Sequence, residues 1–183
     1  MDPQQVLNSI EIDAPTKGLP IIGPERGRFL DELVEKNEPQ RILEVGTLVG
    51  YSAIRMARMM RKGKITCLEM NKDIAKVARS NIAAAGLSER VEILVGDAND
   101  LIPKLKGRFD MVFIDAEKKQ YLSYLMKCEK LLNAGCVVVA DNAKVFAREM
   151  ADYLEYVRSS GKYKSSYREA PSGADAIEVS VKV

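Results

Sequence analysis

The chain has 183 residues, 46% hydrophobic and 30% charged, and its 28 Lys and Arg against 26 Asp and Glu leave a formal charge of +2. That length suits a single domain over residues 1–183 with a sizeable core, the first 23 residues forming an N-terminal arm, and the balanced charge leaves no nucleic-acid footprint. The chain has no His, which excludes Ser-His-Asp and Cys-His nucleophiles, His general bases and His-ligated zinc or iron.

Residues 1–14 can form one short helix with Val6, Leu7 and Ile10 on a common face. Lys17–Gly23 reads as a Pro- and Gly-containing connection, and Pro24 suits the first position of a helix reaching about Lys36. From residue 41, short β-branched runs alternate with longer helical patterns. Strands are predicted over Arg41–Val45, Lys64–Leu68, Val91–Val95, Asp110–Ile114 and Cys136–Ala140, all near-continuous apolar runs as expected when both faces are covered. Between them, helices are predicted over Ser52–Arg61, Asn71–Ala85 (with Asn71 as N-cap and Gly86 as the stop), Tyr121–Leu132 and Val145–Val157. Tyr163–Arg168 and Ala176–Val183 read as shorter strands joined by the turn-like Pro171-Ser-Gly-Ala, an antiparallel pair. This repetition predicts an α/β fold with a doubly wound, mostly parallel, Rossmann-like sheet and an antiparallel C-terminal strand. Cys67 and Cys136 sit inside apolar runs and read as small core residues. No apolar run approaches the roughly 20 residues that span a bilayer, and the N-terminus lacks the basic and apolar regions of a signal peptide. A cytoplasmic protein with no membrane partner is expected.

The chemistry concentrates at strand ends. Ile42-Leu-Glu-Val-Gly-Thr-Leu-Val-Gly-Tyr-Ser52 is a buried strand, a Gly-containing turn and a helix start, the place where open α/β sheets bind nucleotides. Its Gly46-x-x-x-Gly50 spacing lacks the middle glycine that lets a backbone approach a pyrophosphate. Glu44 beside that turn repels phosphate and attracts an ammonium group. A nucleoside with a cationic amino-acid tail, such as S-adenosylmethionine, fits better than NAD. Glu44, Glu69, Asp97, Asp115 and Asp141 then fall at the ends of successive strands, at spacings of 25, 28, 18 and 26 residues. Five acids on one sheet edge imply a shared site. Glu69 has the position from which an acid bonds ribose hydroxyls, and Asp97 is placed to approach a base.

The segments Glu44-Val-Gly-Thr-Leu-Val-Gly-Tyr-Ser52, Glu69-Met-Asn71, Gly96-Asp-Ala98, Asp115-Ala-Glu-Lys118 and Asp141-Asn142 resemble the ordered motifs of the metal-dependent O-methyltransferases, from about Gly18 to the C-terminus. That family includes catechol and caffeoyl-coenzyme A O-methyltransferases. The resemblance implies a seven-stranded class I methyltransferase fold acting on a small acceptor with adjacent hydroxyls. It places Ile22, Glu44, Gly46, Ser52, Glu69, Met70 and Ala98 around S-adenosylmethionine. Asp97 joins that set, as does Asp115, which is shared with the metal. It makes Asp115, Asp141 and Asn142 ligands of a divalent ion and Lys118 the base at the acceptor hydroxyl. Two carboxylates and an amide oxygen form a hard, oxygen-only site suited to Mg²⁺, with Ca²⁺ or Mn²⁺ as alternatives.

The chain departs from that family in having little sequence before Gly18 and no Trp to form an aromatic wall. An acceptor pocket that is more open, or completed by a second subunit of a homodimer through Val6, Leu7 and Ile10, is the resulting expectation. Two other readings use the same fold. An RNA methyltransferase is favoured only by the basic stretch Arg158, Lys162, Lys164 and Arg168. It is opposed by Asp115-Ala-Glu-Lys, which stands where amino-methylating members carry an Asn/Asp-Pro-Pro-aromatic motif. A non-catalytic S-adenosylmethionine-binding protein is opposed by the intact metal and base positions.

Overall fold

Five strands lie parallel where the apolar runs place them. They are β1 (Arg41–Val45), β2 (Lys64–Glu69), β3 (Val91–Val95), β4 (Phe109–Ile114) and β5 (Leu132–Ala140). β7 (Ala176–Lys182) adds antiparallel to β5, and β6 (Tyr163–Glu169) antiparallel to β7. The computed structural model, which describes residues 1–183, thus holds one seven-stranded sheet in the order β3-β2-β1-β4-β5-β7-β6. The strand order reverses between β1 and β4. Ligands of open α/β sheets bind at the carboxyl ends of the strands at such a switch point.

Successive residues of the central strands feed opposite layers. Ile42, Met111, Phe113, Val137 and Val139 join the apolar layer beneath α1 (Pro3–Lys17), α2 (Gly23–Asn37), α3 (Tyr51–Met59) and α4 (Lys72–Ala84). Leu43, Val45, Val112, Ile114 and Val138 join the layer beneath α5 (Ala98–Leu101), α6 (Tyr121–Cys128) and α7 (Ala151–Ser159). The side-chain period of two, with both faces covered, is why these strands read as unbroken apolar runs. Cys67, Cys128 and Cys136 are all buried in this core.

Three local expectations need correction. The N-terminal segment is a full helix to Lys17, not a short one to residue 14. Asp2 and Gln5 close a capping box at its start, Pro15 falls in its last turn, and Gly18 ends it in a left-handed conformation (φ 61°). Its apolar stripe does not wait for a partner subunit: Val6, Leu7, Ile10 and Ala14 are buried against this chain's own α3 and α4. The second correction concerns Tyr121–Leu132, where the helix stops at Cys128. A 3₁₀ turn follows at Glu129–Leu131, and β5 begins at Leu132 rather than Cys136. Leu132 pairs with Phe109 across a register shift, and Gly135, at φ 75°, lies on the extension. An isolated Leu satisfies either period, so the sequence does not reveal the switch. The third concerns Val145–Val157, where α7 starts only at Ala151. The Asp175 carboxylate accepts from the N–H groups of Lys144 and Val145 at 3.3 and 3.1 Å, and residues 143–150 run as a series of turns.

The burial of α1 predicts a contrast within one helix. Leu7, wholly buried, should lose about 2–5 kcal/mol of stability as Leu7→Ala. Ile12, 76% exposed on the same helix, should change by less than about 0.5 kcal/mol as Ile12→Ala. Urea unfolding of the two variants separates these outcomes; equal midpoints would mean that α1 is not part of the cooperative core.

Candidate active site

The turn after β1 is built around two glycines and a buried acid. Gly46 and Gly50 both adopt φ 85°, a region open to glycine at no steric cost. A Cβ on Gly46 would lie 2.2 Å from the Asp115 carbonyl oxygen, so no other residue lets the ends of β1 and β4 approach this closely. The Asp115 N–H donates to the Val45 carbonyl at 2.9 Å and locks that approach. Glu44 is completely buried and accepts from the Thr47 and Ser52 hydroxyls at 2.5 Å each. Burial pushes its carboxyl above the ordinary range, and the two hydroxyl donors pull against that shift. Glu44 therefore sits behind the turn and shapes it, rather than facing the cavity.

Glu69, at the end of β2, receives two backbone donors, Leu48 N–H at 3.0 Å and Asn71 N–H at 2.9 Å. Leu48 pays for the first with a left-handed backbone, φ 48°, unusual for a branched side chain. Asn71 also caps α4 through Asp73 and Ile74 N–H. Met70 stands beside Glu69 with its side chain exposed. After β3, the Asp97 carboxylate turns back to cap α5, accepting from Asn99 N–H at 2.7 Å.

The ends of β4 and β5 carry the remaining polar groups. Lys118 Nζ donates to Asp115 Oδ1 at 2.8 Å and to the buried Tyr121 hydroxyl at 2.9 Å, and it lies 5.7 Å from the Phe146 ring centroid. Asp141 is 1% exposed and bound by both arms of Arg26, Nε to Oδ1 at 2.7 Å and Nη2 to Oδ2 at 3.1 Å. Burial, then the Asp115 charge, pushes the Asp141 carboxyl up to about 7, with Arg26 acting in the opposite direction. Asn142 adopts φ 64° and donates its Nδ2 to Asp175 Oδ2 at 2.6 Å. That bond fixes the amide orientation and leaves Oδ1 as a free acceptor.

These elements border one cavity of about 680 Å³ at the switch point, within the usual range for small-molecule sites. Of the candidates from sequence, Ile22, Gly46, Ser52, Glu69, Met70, Ala98, Asp115, Lys118 and Asn142 line it. Glu44, Asp97 and Asp141 do not; Glu44 lies behind Thr47 and Ser52, Asp97 caps α5, and Asp141 lies behind Arg26. Sequence reasoning missed Arg26, Leu48, Tyr51 and Phe146 on the cavity wall. Leu48 and Tyr51 carried a signal, since both lie within the glycine turn motif. The basic stretch near the C-terminus sits elsewhere, and three of its four cations are paired within the chain. Arg158 holds Glu178 with two bonds (2.8 and 2.7 Å), Lys162 pairs with Glu129 at 3.2 Å, and Arg168 with Glu32 at 3.7 Å.

Comparison with known proteins identifies the family. Residues 7–155 match the O-methyltransferase family. Catechol O-methyltransferase B of Danio rerio is 39% identical over 98% of this chain and 72% of that protein. Catechol O-methyltransferase of Mus musculus is 36% identical with the same coverage. The crystal structure of an O-methyltransferase from Bacillus cereus, in complex with SAH, superposes with a TM-score of 0.87 at 28% identity, covering 98% of this chain and 91% of that one. The chain belongs to the O-methyltransferase family and is an S-adenosylmethionine-dependent enzyme.

Proposed function

We propose that the protein transfers a methyl group from S-adenosylmethionine to one hydroxyl of a small catechol-type or vicinal-diol acceptor, with the assistance of a divalent ion. The observation that carries this reading is that Glu69 and the glycine turn line the same cavity as Asp115, Lys118 and Asn142, with Phe146 beside Lys118. S-adenosylmethionine supplies an electrophilic methyl group on a sulfonium. Each Glu69 oxygen accepts one backbone N–H and keeps a lone-pair direction for a ribose hydroxyl. Met70, Ala98 and Ile22 provide apolar walls for the nucleoside, and Ser52 and Gly46 border its amino-acid tail. Glu44 holds the Thr47 and Ser52 hydroxyls in place from behind the turn.

At the acceptor end, the donor set fits a hard cation. Asp115 and Asp141 provide carboxylate oxygens, and the Asn142 amide, turned by Asp175, presents its oxygen. The ion supplies positive charge that favours the ionised acceptor oxygen. Lys118 is tethered by Asp115 and Tyr121 at the same end, in place to take the proton from the hydroxyl. Phe146, 37% exposed at the cavity edge, offers its ring face to an aromatic acceptor. It serves as an aromatic wall in a chain without Trp.

A methyl-transfer assay over catechols and hydroxycinnamoyl esters tests the reading directly. EDTA should abolish transfer and Mg²⁺ restore it, with S-adenosylmethionine affinity unchanged; full activity after exhaustive chelation would exclude metal assistance. Lys118→Ala should lose about 10²-fold in rate at neutral pH without weakening S-adenosylmethionine. Higher pH should return part of that loss, because phenols ionise unaided near pH 10. A wild-type rate in this variant would make Lys118 a bystander. Glu69→Ala should weaken S-adenosylmethionine by about 1–3 kcal/mol in calorimetry, the range for hydrogen bonds to a charged acceptor; equal affinity would reject the ribose contact.

A further inference from the structure

Arg26 stands between the cavity and Asp141. Its side chain is 15% exposed and lines the cavity wall, while the Asp141 carboxylate behind it is 1% exposed and does not reach the wall. Both Asp141 oxygens are engaged by the guanidinium, and a two-pronged arginine–carboxylate contact is among the stronger ion pairs. The third guanidinium nitrogen, Nη1, already lies 3.4 Å from Asp175 Oδ2. Asp175 in turn is held in place by the N–H groups of Val145 and Ala176 and by the Asn142 amide. A cation entering from the cavity therefore meets a guanidinium before it meets the Asp141 oxygens, and a second acid waits within reach of that guanidinium.

We propose that Arg26 is the resident counter-cation of Asp141 and that divalent-ion binding is an exchange, in which the ion takes Asp141 and the guanidinium passes to Asp175. The inference rests on the metal assistance proposed above and adds a residue that sets the affinity of that ion. Three carboxylates (Asp115, Asp141 and Asp175) meet at this end of the cavity, and two are already matched by Lys118 and Arg26. Adding a divalent ion without moving Arg26 would crowd like charges around one carboxylate. The handover needs only a change of side-chain torsions, because Nη1 begins near its new partner. Linkage makes the coupling reciprocal: the factor by which the ion loosens Arg26 from Asp141 is the factor by which Arg26 weakens the ion.

The test is Mn²⁺ binding to the full chain, followed by electron paramagnetic resonance and calorimetry at pH 8 and pH 9. Arg26→Gln should bind Mn²⁺ about tenfold or more tightly than wild type, within the usual span of such couplings. Arg26→Lys, which keeps the charge but has one donor head, should fall between them and serves if the glutamine variant folds poorly. Saturating Mn²⁺ should also raise the melting temperature of Arg26→Gln by more than that of wild type. Equal or weaker binding by Arg26→Gln at both pH values would overturn the exchange while leaving the metal site standing. Absence of Mn²⁺ binding in every form, or unchanged binding in Asp141→Asn, would remove the metal site and the exchange together.

Discussion

The contact between Gly46 and the Asp115 carbonyl sets the dimensions of the site. The turn after β1 borders the cofactor end and the turn after β4 carries the catalytic candidates, so their separation decides whether methyl donor and base can share one cavity. A missing side chain at Gly46 and the 2.9 Å bond from Asp115 N–H to Val45 bring the two strand ends together. Glu44 reinforces this from below: its carboxylate ties Thr47 and Ser52 to the strand, so the turn cannot open without stripping a buried acid of its donors. Two of the three non-glycine residues with positive φ, Leu48 and Asn142, lie on the same cavity wall. Strain is concentrated at the ligand-facing edge and absent from the sheet beneath it.

Buried acids organise most of what surrounds that contact, and they are satisfied by three means: hydroxyls, backbone and amide donors, and arginine pairs. Glu44 uses hydroxyls, Asp141 a guanidinium, Asp175 backbone N–H groups and an amide, and Glu178 a two-bond pair with Arg158. The mode of satisfaction predicts the role. A carboxylate closed off by hydroxyls or backbone donors shapes its turn and stays put. Asp141 differs from Glu178 in that its arginine also lies 3.4 Å from a second acid, Asp175, and lines the cavity, so this pair alone has another partner at hand.

The fold was legible because buried parallel strands leave an unmistakable trace: each central strand is an apolar run with one acid at its carboxyl end. The acids marked the correct edge of the sheet, and nine of the twelve candidate residues line the cavity. Illegible features depend on contacts distant in sequence. Asp175 binds the N–H groups of residues 144 and 145 from 31 and 30 positions away. Arg26 reaches Asp141 across 115 positions. The same limit misread the N-terminus: Val6, Leu7 and Ile10 looked too few to bury themselves, because the groove between α3 and α4 that receives them has no sequence signature.

The two ends of the cavity are built to different rigidities, and this bears on what each can discriminate. The cofactor end is framed by backbone: a glycine turn pinned to the sheet, and N–H groups aimed at Glu69 from Leu48 and Asn71. The acceptor end is framed by side chains on turns, with Phe146 on the irregular segment 144–150 and Arg26 on the first turns of α2. The irregular segment is fastened chiefly through Asp175 and through Lys144, which bonds Glu169 and the Gly173 carbonyl. Under the proposed reading, substitutions there reshape the acceptor pocket without disturbing the glycine turn. On that same reading, methyl-donor binding and acceptor choice are separable, and the Gly46–Asp115 contact is where the two parts of the cavity meet.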